Sequence, residues 1–248
     1  MRTIITMPAY KAARTIEKTF REIPQGSFDK VLVVDDASPD DTVDVARALG
    51  LETRRHEVNR GYGGNQKTCY DWALAEGADI VVLLHPDYQY TPQRVPALVE
   101  PIRRGRADFT FGSRFKECGN PMDGGMPLYR YLGNRFTTGV ENYFLGTSFS
   151  ELHSGMKAYS RRFLELIGYH RFSERFVFDS EMVIQAVLLG FRIEEMAIPT
   201  RYAEDSSSVD VVSSFRYVFD TFGALHRGLR DRDRLRRELV ERENALGL

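Results

Sequence analysis

Cysteine is nearly absent from this chain. Its 248 residues include two, Cys69 and Cys118, which have neither metal-ligand spacing nor the makings of a disulfide framework. Reduced thiols in a cytoplasmic protein are the expectation. A surplus of charge is missing too: the formal net charge is −1, without the basic excess of nucleic-acid binders. Nucleic acid is therefore not an expected partner. No window approaches the ~18 uncharged apolar residues of a transmembrane helix. The apolar stretch within Met1–Thr6 is far too short for a signal peptide. The protein is not expected to span a membrane, which leaves a peripheral contact open. There is no internal repeat and no clear linker. What remains is an ordinary globular composition, 42% hydrophobic and 28% charged.

Strand-like and helix-like segments alternate through the first half. Thr3–Met7 reads as a strand, and Ile16, Phe20 and Ile23 then recur at helical spacing. Val31–Val34 is a strand, followed by a helix carrying Val43, Val45, Ala46 and Leu49 and stopped by Gly50. A short strand spans Leu51–His56. A helix from about Asn65 to Ala75 leads to a second strongly apolar strand, Asp79–Leu84. A helix through Val95, Leu98, Val99 and Ile102 precedes a strand at Ala107–Gly112. This order predicts a mostly parallel sheet with helices on both faces. After it come a Gly/Pro/Asn-rich loop at Cys118–Pro127 and a long amphipathic helix, Leu128–Leu145. The apolar stripe of that helix is expected to face the core, with an apolar acceptor as the alternative partner. Phe178–Gly190 reads as a buried helix and Phe191–Tyr202 as a strand-like return. Ser206–Ser208 is a loop. The tail from His226 alternates in charge sign, as solvated helices do. The chain divides into residues 1–208 and a C-terminal helical appendage, 209–248.

The chemistry gathers at three strand ends. Val31–Val34 runs straight into Asp35 and Asp36, and an uninterrupted apolar run marks a strand buried on both faces. Ligands of such sheets bind beyond the carboxyl ends of the strands. Two adjacent carboxylates there need a metal, donors from a base or ribose, or an Arg. Pro8, Ala9 and Tyr10 end the first strand, and Tyr10 offers a ring for stacking. His85, Pro86, Asp87 and Gln89 end another, where Asp87 can ligate a divalent cation carrying phosphates. In a parallel sheet all three ends meet at one edge. The segment Asn59–Lys67 is Gly-rich but fails the dinucleotide fingerprint, because Gln66 holds its third Gly position. It also fails the phosphate-loop pattern, because Lys67 follows Gln66. It reads as a flexible loop opening a helix, with Lys67 available to phosphate.

These segments together resemble family 2 glycosyltransferases of the GT-A fold, and within them the dolichyl-phosphate mannosyltransferase or polyprenyl-phosphate glycosyltransferase branch. The likeness rests on Pro8-Ala9-Tyr10, on Val33 through Thr42 with its Asp-Asp-Ala-Ser-Pro-Asp-Asp-Thr string, on Asn59-Arg60-Gly61 with Gly64, and on Asp87. Gly112-Ser113-Arg114, Ser154 through Ala158, and Phe178 through Glu181 also fit. It covers about residues 1–205. The fold it implies is α/β, with a mostly parallel Rossmann-like central sheet, flanking helices and a C-terminal helical extension.

The resemblance implies an inverting transfer from a UDP- or GDP-linked sugar, with polyprenyl or dolichyl phosphate as acceptor. Donor-site residues would be Pro8, Ala9, Tyr10, Asp35, Asp36, Asn59, Gly64, Lys67, Pro86, Asp87 and Gln89. Arg114, Ser154, Lys157 and Arg201 would serve donor or acceptor phosphates. Asp179 and Glu181 are the candidates for a catalytic base, with Asp179 ahead by position. The divalent cation, Mn2+ or Mg2+, would sit on Asp87, the second acid of the family's Asp-x-Asp motif. His85 stands where the first acid is expected. As a ligand, an imidazole shifts preference toward manganese; the alternative is that His85 does not ligate. The family's phosphate-binding Gly-x-Ser-Lys after Arg201 is absent, as are the C-terminal membrane helices of many relatives. The expected location is cytoplasmic, with the inner face of the membrane left open. Three other readings stay open: transfer to a soluble or cell-envelope hydroxyl, a sugar-nucleotide-binding protein with a weakened site, and a nucleotidyltransferase.

Overall fold

The computed structural model describes residues 1–116, 121–122, 125–199 and 211–247, with residues 211–215 by backbone alone. Its centre is a seven-stranded sheet in the order β3-β2-β1-β4-β6-β5-β7. The strands are β1 (Thr3–Ala9), β2 (Lys30–Asp35), β3 (Glu52–Arg55), β4 (Ile80–Leu83), β5 (Phe109–Ser113), β6 (Lys157–Ser160) and β7 (Ile193–Ala197). Six run parallel to one another. β6 is antiparallel to both of its neighbours, with Leu83 opposite Lys157 and Phe111 also opposite Lys157.

Alternation along each strand splits the core in two. Ile4, Leu32, Val34, Val81 and Phe109 pack on one face with Tyr70, Phe163 and Phe178. These come from α3 (Gly61–Ala75), α6 (Arg161–Ile167) and α7 (Phe178–Leu189). Ile5, Met7, Val33, Ile80 and Val82 pack on the other face, under α1 (Ile16–Arg21), α2 (Thr42–Ala48) and α4 (Val95–Arg103). Being covered on both sides explains the unbroken apolar runs of β2 and β4. The tail forms α8 (Val211–Arg230) and α9 (Arg232–Leu246). Ala224 and Leu225 of α8 close a third apolar cluster against Val177, Ile184 and Leu188.

Four expectations change. β6 and α6 did not announce themselves, because Lys-Ala-Tyr-Ser has no apolar run and α6 is only seven residues long. α3 starts at Gly61 rather than Asn65, so most of the Gly-rich loop is helix. β7 is shorter than the predicted return, and residues 200–202 of that return lie outside the described residues. The largest change concerns α5 (Leu128–Leu145), whose bounds match the prediction but whose facing does not. Its buried residues are Thr137, Thr138 and Glu141. Leu128, Leu132, Phe136 and Tyr143 point outward, with Phe136 63% and Tyr143 82% exposed. Among the described residues no helix is long and apolar enough to cross a membrane.

Candidate active site

β1, β2 and β4 are neighbours in the sheet, so their carboxyl ends open onto one cleft of about 810 Å³. Pro8, Ala9 and Tyr10 line it from β1, with the Tyr10 ring half exposed at its lip. Asp36 lines it from β2. Its backbone N donates to Ala9 O (2.9 Å). Its carboxylate accepts from Arg60 N (2.8 Å) and Gly61 N (3.0 Å), and Oδ1 lies 2.7 Å from His56 Nδ1. Asn59, also in the lining, donates from Nδ2 to Asp36 O (3.1 Å). Asp36 thus pins the start of α3 to the end of β2.

Asp35 points the other way, as strand alternation requires. It is fully buried and accepts from Ser38 N (3.0 Å), with Arg55 Nε at 3.5 Å. Of the acidic pair, only Asp36 meets the cleft. Gly64 and Lys67 do not line it either. The early start of α3 turns Lys67 inward, where its Nζ donates to Phe172 O and is not presented to a phosphate. Gly63 explains part of the glycine-rich run: a Cβ there would sit 2.4 Å from Ser173 O and 2.8 Å from Phe178 Cβ. The bare backbone lets α3 close on the loop before α7.

The β4 end supplies His85, Pro86, Asp87 and Gln89 to the cleft. Gln89 N donates to Asp87 Oδ1 (3.1 Å), which shapes the turn. His85 stacks on Tyr62, with ring centroids 5.3 Å apart and planes 12° apart, and its Nε2 lies 3.1 Å from the Tyr62 hydroxyl. Burial holds the His85 imidazole below its usual range and outweighs the pull of Asp87 and Asp179. The Tyr62 hydroxyl donates to Asp179 Oδ2 (2.6 Å). Burial, then the Asp179 charge, push the Tyr62 phenol well above its usual range.

Asp179 lines the cleft from the first turn of α7, where the helix dipole favours an anion. Its Oδ1 is 2.8 Å from Lys157 Nζ, close enough for an ion pair though off-line for a hydrogen bond. Lys157 is fully enclosed, and burial lowers its ammonium pKa against the raising effect of Asp179. It therefore meets the cleft only through Asp179. Glu181 turns away, accepting from Ser173 N (2.7 Å) and pairing with Arg227 (3.2 Å).

The third wall comes from α5, the segment before β6, and α8. Tyr129, Arg130, Gly133, Asn134 and Thr137 face the cleft. Arg114 lines it while its guanidinium clasps Glu151, which also accepts from Arg114 N (2.8 Å) and Asn134 Nδ2 (2.8 Å). Burial alone would raise the Glu151 carboxyl, but Arg114 beside it holds it below its ordinary value. Ser154 is buried, accepting from Met156 N (3.4 Å), and is not in the lining. Arg201 lies outside the described residues.

Several lining residues escaped sequence reasoning. Tyr62 stood inside the glycine-rich segment and looked like loop. His153 and Tyr217 are joined by a 2.7 Å contact at His153 Nδ1, with Glu141 3.0 Å behind Nε2 and Ser180 Oγ 2.7 Å from the Tyr217 hydroxyl. Glu141, the single acidic residue of α5, was the one available signal. Tyr217 and Val218 bring the C-terminal segment into the cleft wall.

The family resemblance implies a divalent cation. Among the described residues no group of three His, Cys, Asp or Glu side chains could hold one. The donor set does fit a cation shared with a diphosphate, which needs only one or two protein ligands. Asp87 offers a carboxylate and His85 an imidazole whose burial favours the neutral, ligating form.

The sequence pattern of glycosyl transferase family 2 matches residues 4–168. A UDP-N-acetylglucosamine–dolichyl-phosphate N-acetylglucosaminyltransferase of Methanococcus voltae is 27% identical over 87% of this chain and 92% of its own length. A polyprenol monophosphomannose synthase of Mycolicibacterium smegmatis is 27% identical over 95% of this chain and 90% of its own. The fold matches a crystal structure of glucosyl-3-phosphoglycerate synthase from Mycobacterium tuberculosis bound to Mn2+, UDP-glucose and phosphoglyceric acid. The TM-score is 0.67 at 20% identity, over 90% of this chain and 78% of that one. With its strand-end cleft and seven-stranded α/β sheet, this chain belongs to glycosyl transferase family 2 and is a glycosyltransferase of the GT-A fold.

Proposed function

We propose that the protein transfers a sugar, with inversion, from a UDP- or GDP-linked donor to a polyprenyl phosphate at a membrane surface. The observation that carries this reading is the two-sidedness of α5. Its inner side lines the cleft through Arg130, Asn134 and Thr137, while Leu128, Leu132, Phe136 and Tyr143 form an outward apolar stripe. One helix thus joins a polar reaction space to a surface suited to acyl or prenyl chains. The named activities of the M. voltae and M. smegmatis relatives agree with a lipid-phosphate acceptor.

In this reading Tyr10, Asp36 and Asn59 hold the base and ribose. Asp87, with the His85 imidazole, would hold the divalent cation, Mn2+ or Mg2+, which when bound would offset the charge of the leaving diphosphate, and Gln89 lines the same end of the cleft. Arg114 and Arg130 orient the acceptor phosphate from the α5 side. A phosphate oxygen forms the new bond to the anomeric carbon as the bond to the diphosphate breaks, and that electron pair leaves with the diphosphate. A phosphate arrives ionised, so the step needs no proton acceptor. That suits Asp179, whose oxygens are already engaged by Tyr62 and Lys157. Its negative charge instead faces the positive character that develops on the sugar.

A hydroxyl acceptor is the second reading. It is favoured only by the presence of the Asp179 carboxylate in the cleft, where it would act as base. Labelled UDP- and GDP-sugars offered with a short polyprenyl phosphate, and separately with the matching polyprenol, separate the two. Lipid-phosphate product alone supports the proposal; product only from the alcohol overturns it.

A further inference from the structure

We propose that Tyr62 is a positioning residue, which fixes the hydrogen of His85 on Nε2 and thereby presents Nδ1 as the imidazole's lone pair to the divalent cation. The inference rests on the cation site assigned above to Asp87.

The argument is a count of hydrogens. The Tyr62 hydroxyl touches two groups, Asp179 Oδ2 at 2.6 Å and His85 Nε2 at 3.1 Å. It carries one hydrogen. A carboxylate can only accept, so that hydrogen points at Asp179. The phenol oxygen is then an acceptor toward His85, and Nε2 must be the donor. In a neutral imidazole the other nitrogen holds the lone pair. Metal-binding histidines are ordinarily oriented in this way, through a hydrogen bond from the ring nitrogen that does not ligate.

The ring plane is fixed as well. Tyr62 stacks against one side of it, 12° from parallel. Gly155 approaches the same ring closely, since a Cβ on Gly155 would lie 2.9 Å from His85 Cδ2 and 3.2 Å from Nε2. Gly155 is itself held by its N–H to the Tyr90 hydroxyl (2.7 Å). Asp179 is anchored on its far oxygen by Lys157. Lys157, Asp179, Tyr62 and His85 therefore form one chain, running from the buried middle of the sheet to the end of β4. Through it, Tyr62 sets the site's preference between an imidazole-tolerant ion such as Mn2+ and oxygen-demanding Mg2+.

The test reads tautomer and metal affinity rather than turnover. Nitrogen-15 spectra of histidine-labelled protein at neutral pH should show His85 with its hydrogen on Nε2. In Tyr62→Phe the two tautomers should mix. In Asp179→Asn the amide carbonyl stays with Lys157 and its NH2 faces the phenol oxygen, which turns the phenol hydrogen toward His85 and moves the imidazole hydrogen to Nδ1. Mn2+ binding is followed by electron paramagnetic resonance with UDP or GDP present. Tyr62→Phe should weaken it ~10- to 100-fold and Mg2+ much less. In a His85→Asp background, Tyr62→Phe should leave the Mn2+ to Mg2+ ratio unchanged. A wild-type His85 with its hydrogen on Nδ1 overturns the proposal, as does equal Mn2+ affinity in Tyr62→Phe. If the wild type binds no Mn2+ with either nucleotide, the cation assignment itself falls and this proposal with it.

Discussion

Asp36 Oδ2 accepts the backbone N–H of Gly61 at 3.0 Å, so the end of β2 holds down the first residue of α3. The carboxylate also takes Arg60 N and His56 Nδ1. A residue read from sequence as a ligand contact at a strand end is at the same time a structural joint.

Asp36→Ala should therefore fail twice. Turnover should drop tenfold or more, roughly 1.4 kcal/mol in transition-state terms. The fold should weaken as well, because the contacts that this buried carboxylate makes with Arg60 N and His56 are lost, about 1.5–3 kcal/mol, while Gly61 N keeps Asn59 Oδ1 at 3.0 Å. Thermal melts and donor titrations of Asp36→Ala and Asp36→Asn check this. Wild-type melting in Asp36→Ala would contradict the joint, and wild-type turnover in both would remove Asp36 from the donor site.

Asp87→Ala should behave differently. Within its turn the carboxylate accepts from Gln89 N, a local contact near the surface of the cleft. Turnover should fall at least tenfold, roughly 1.4 kcal/mol, with a melting temperature close to wild type. The stabilisation that divalent cation plus nucleotide gives the wild type should be lost in the variant. Retention of that stabilisation would move the cation away from Asp87.

The sheet was legible because strands buried on both faces write themselves as unbroken apolar runs, as Val31–Val34 and the Ile80–Leu83 stretch do. The cleft was legible because adjacent parallel strands must end together, which brought Pro8, Asp36 and Asp87 to one edge. Periodicity located α5 to the residue but could not say which side faces in. An apolar stripe signals a partner, and the core is only the commonest one. Lys157 shows the opposite limit: read as a cation for donor or acceptor phosphate, it sits fully buried on β6 against Asp179. Contacts across so long a stretch of chain leave no local trace in sequence.

The Arg114–Glu151 pair makes the clearest statement about pH. Both are largely or wholly buried, and Arg114 holds the Glu151 carboxyl below its ordinary value of 4.5. A carboxyl lowered by folding stabilises the fold above its unfolded pKa. That contribution is lost as pH falls from about 4.5 through the lower folded value. Arg114→Ala leaves a buried carboxylate without its cation and should cost about 3–5 kcal/mol. Glu151→Gln should flatten the acid limb of the stability profile. Denaturant melts between pH 3 and pH 7 decide it, and an unchanged acid limb in Glu151→Gln would assign the acid sensitivity to other groups.

The outward face of α5 gives the last prediction. Phe136 and Tyr143 lie on one side of the helix with Leu128 and Leu132, and all four are exposed. Phe222 of α8 meets the Phe136 ring edge-on at 6.3 Å, and Phe219 of the same helix is 74% exposed, so the apolar surface extends beyond α5. Exposed Arg135 stands beside this surface and suits anionic headgroups. Burying such side chains in a lipid interface gains about 25 cal/mol for each Å² removed from water. Phe136→Glu with Tyr143→Glu removes that gain and adds two like charges facing an anionic surface. The wild type should co-float with anionic liposomes at low salt, and the double variant should stay behind. Because neither side chain lines the cleft, the double variant should keep wild-type transfer to a short, water-soluble polyprenyl phosphate. It should lose most of its transfer to a long-chain acceptor embedded in vesicles. Equal flotation of the two proteins would detach the stripe from membrane binding. A parallel loss on both acceptors would mean that α5 serves the cleft alone.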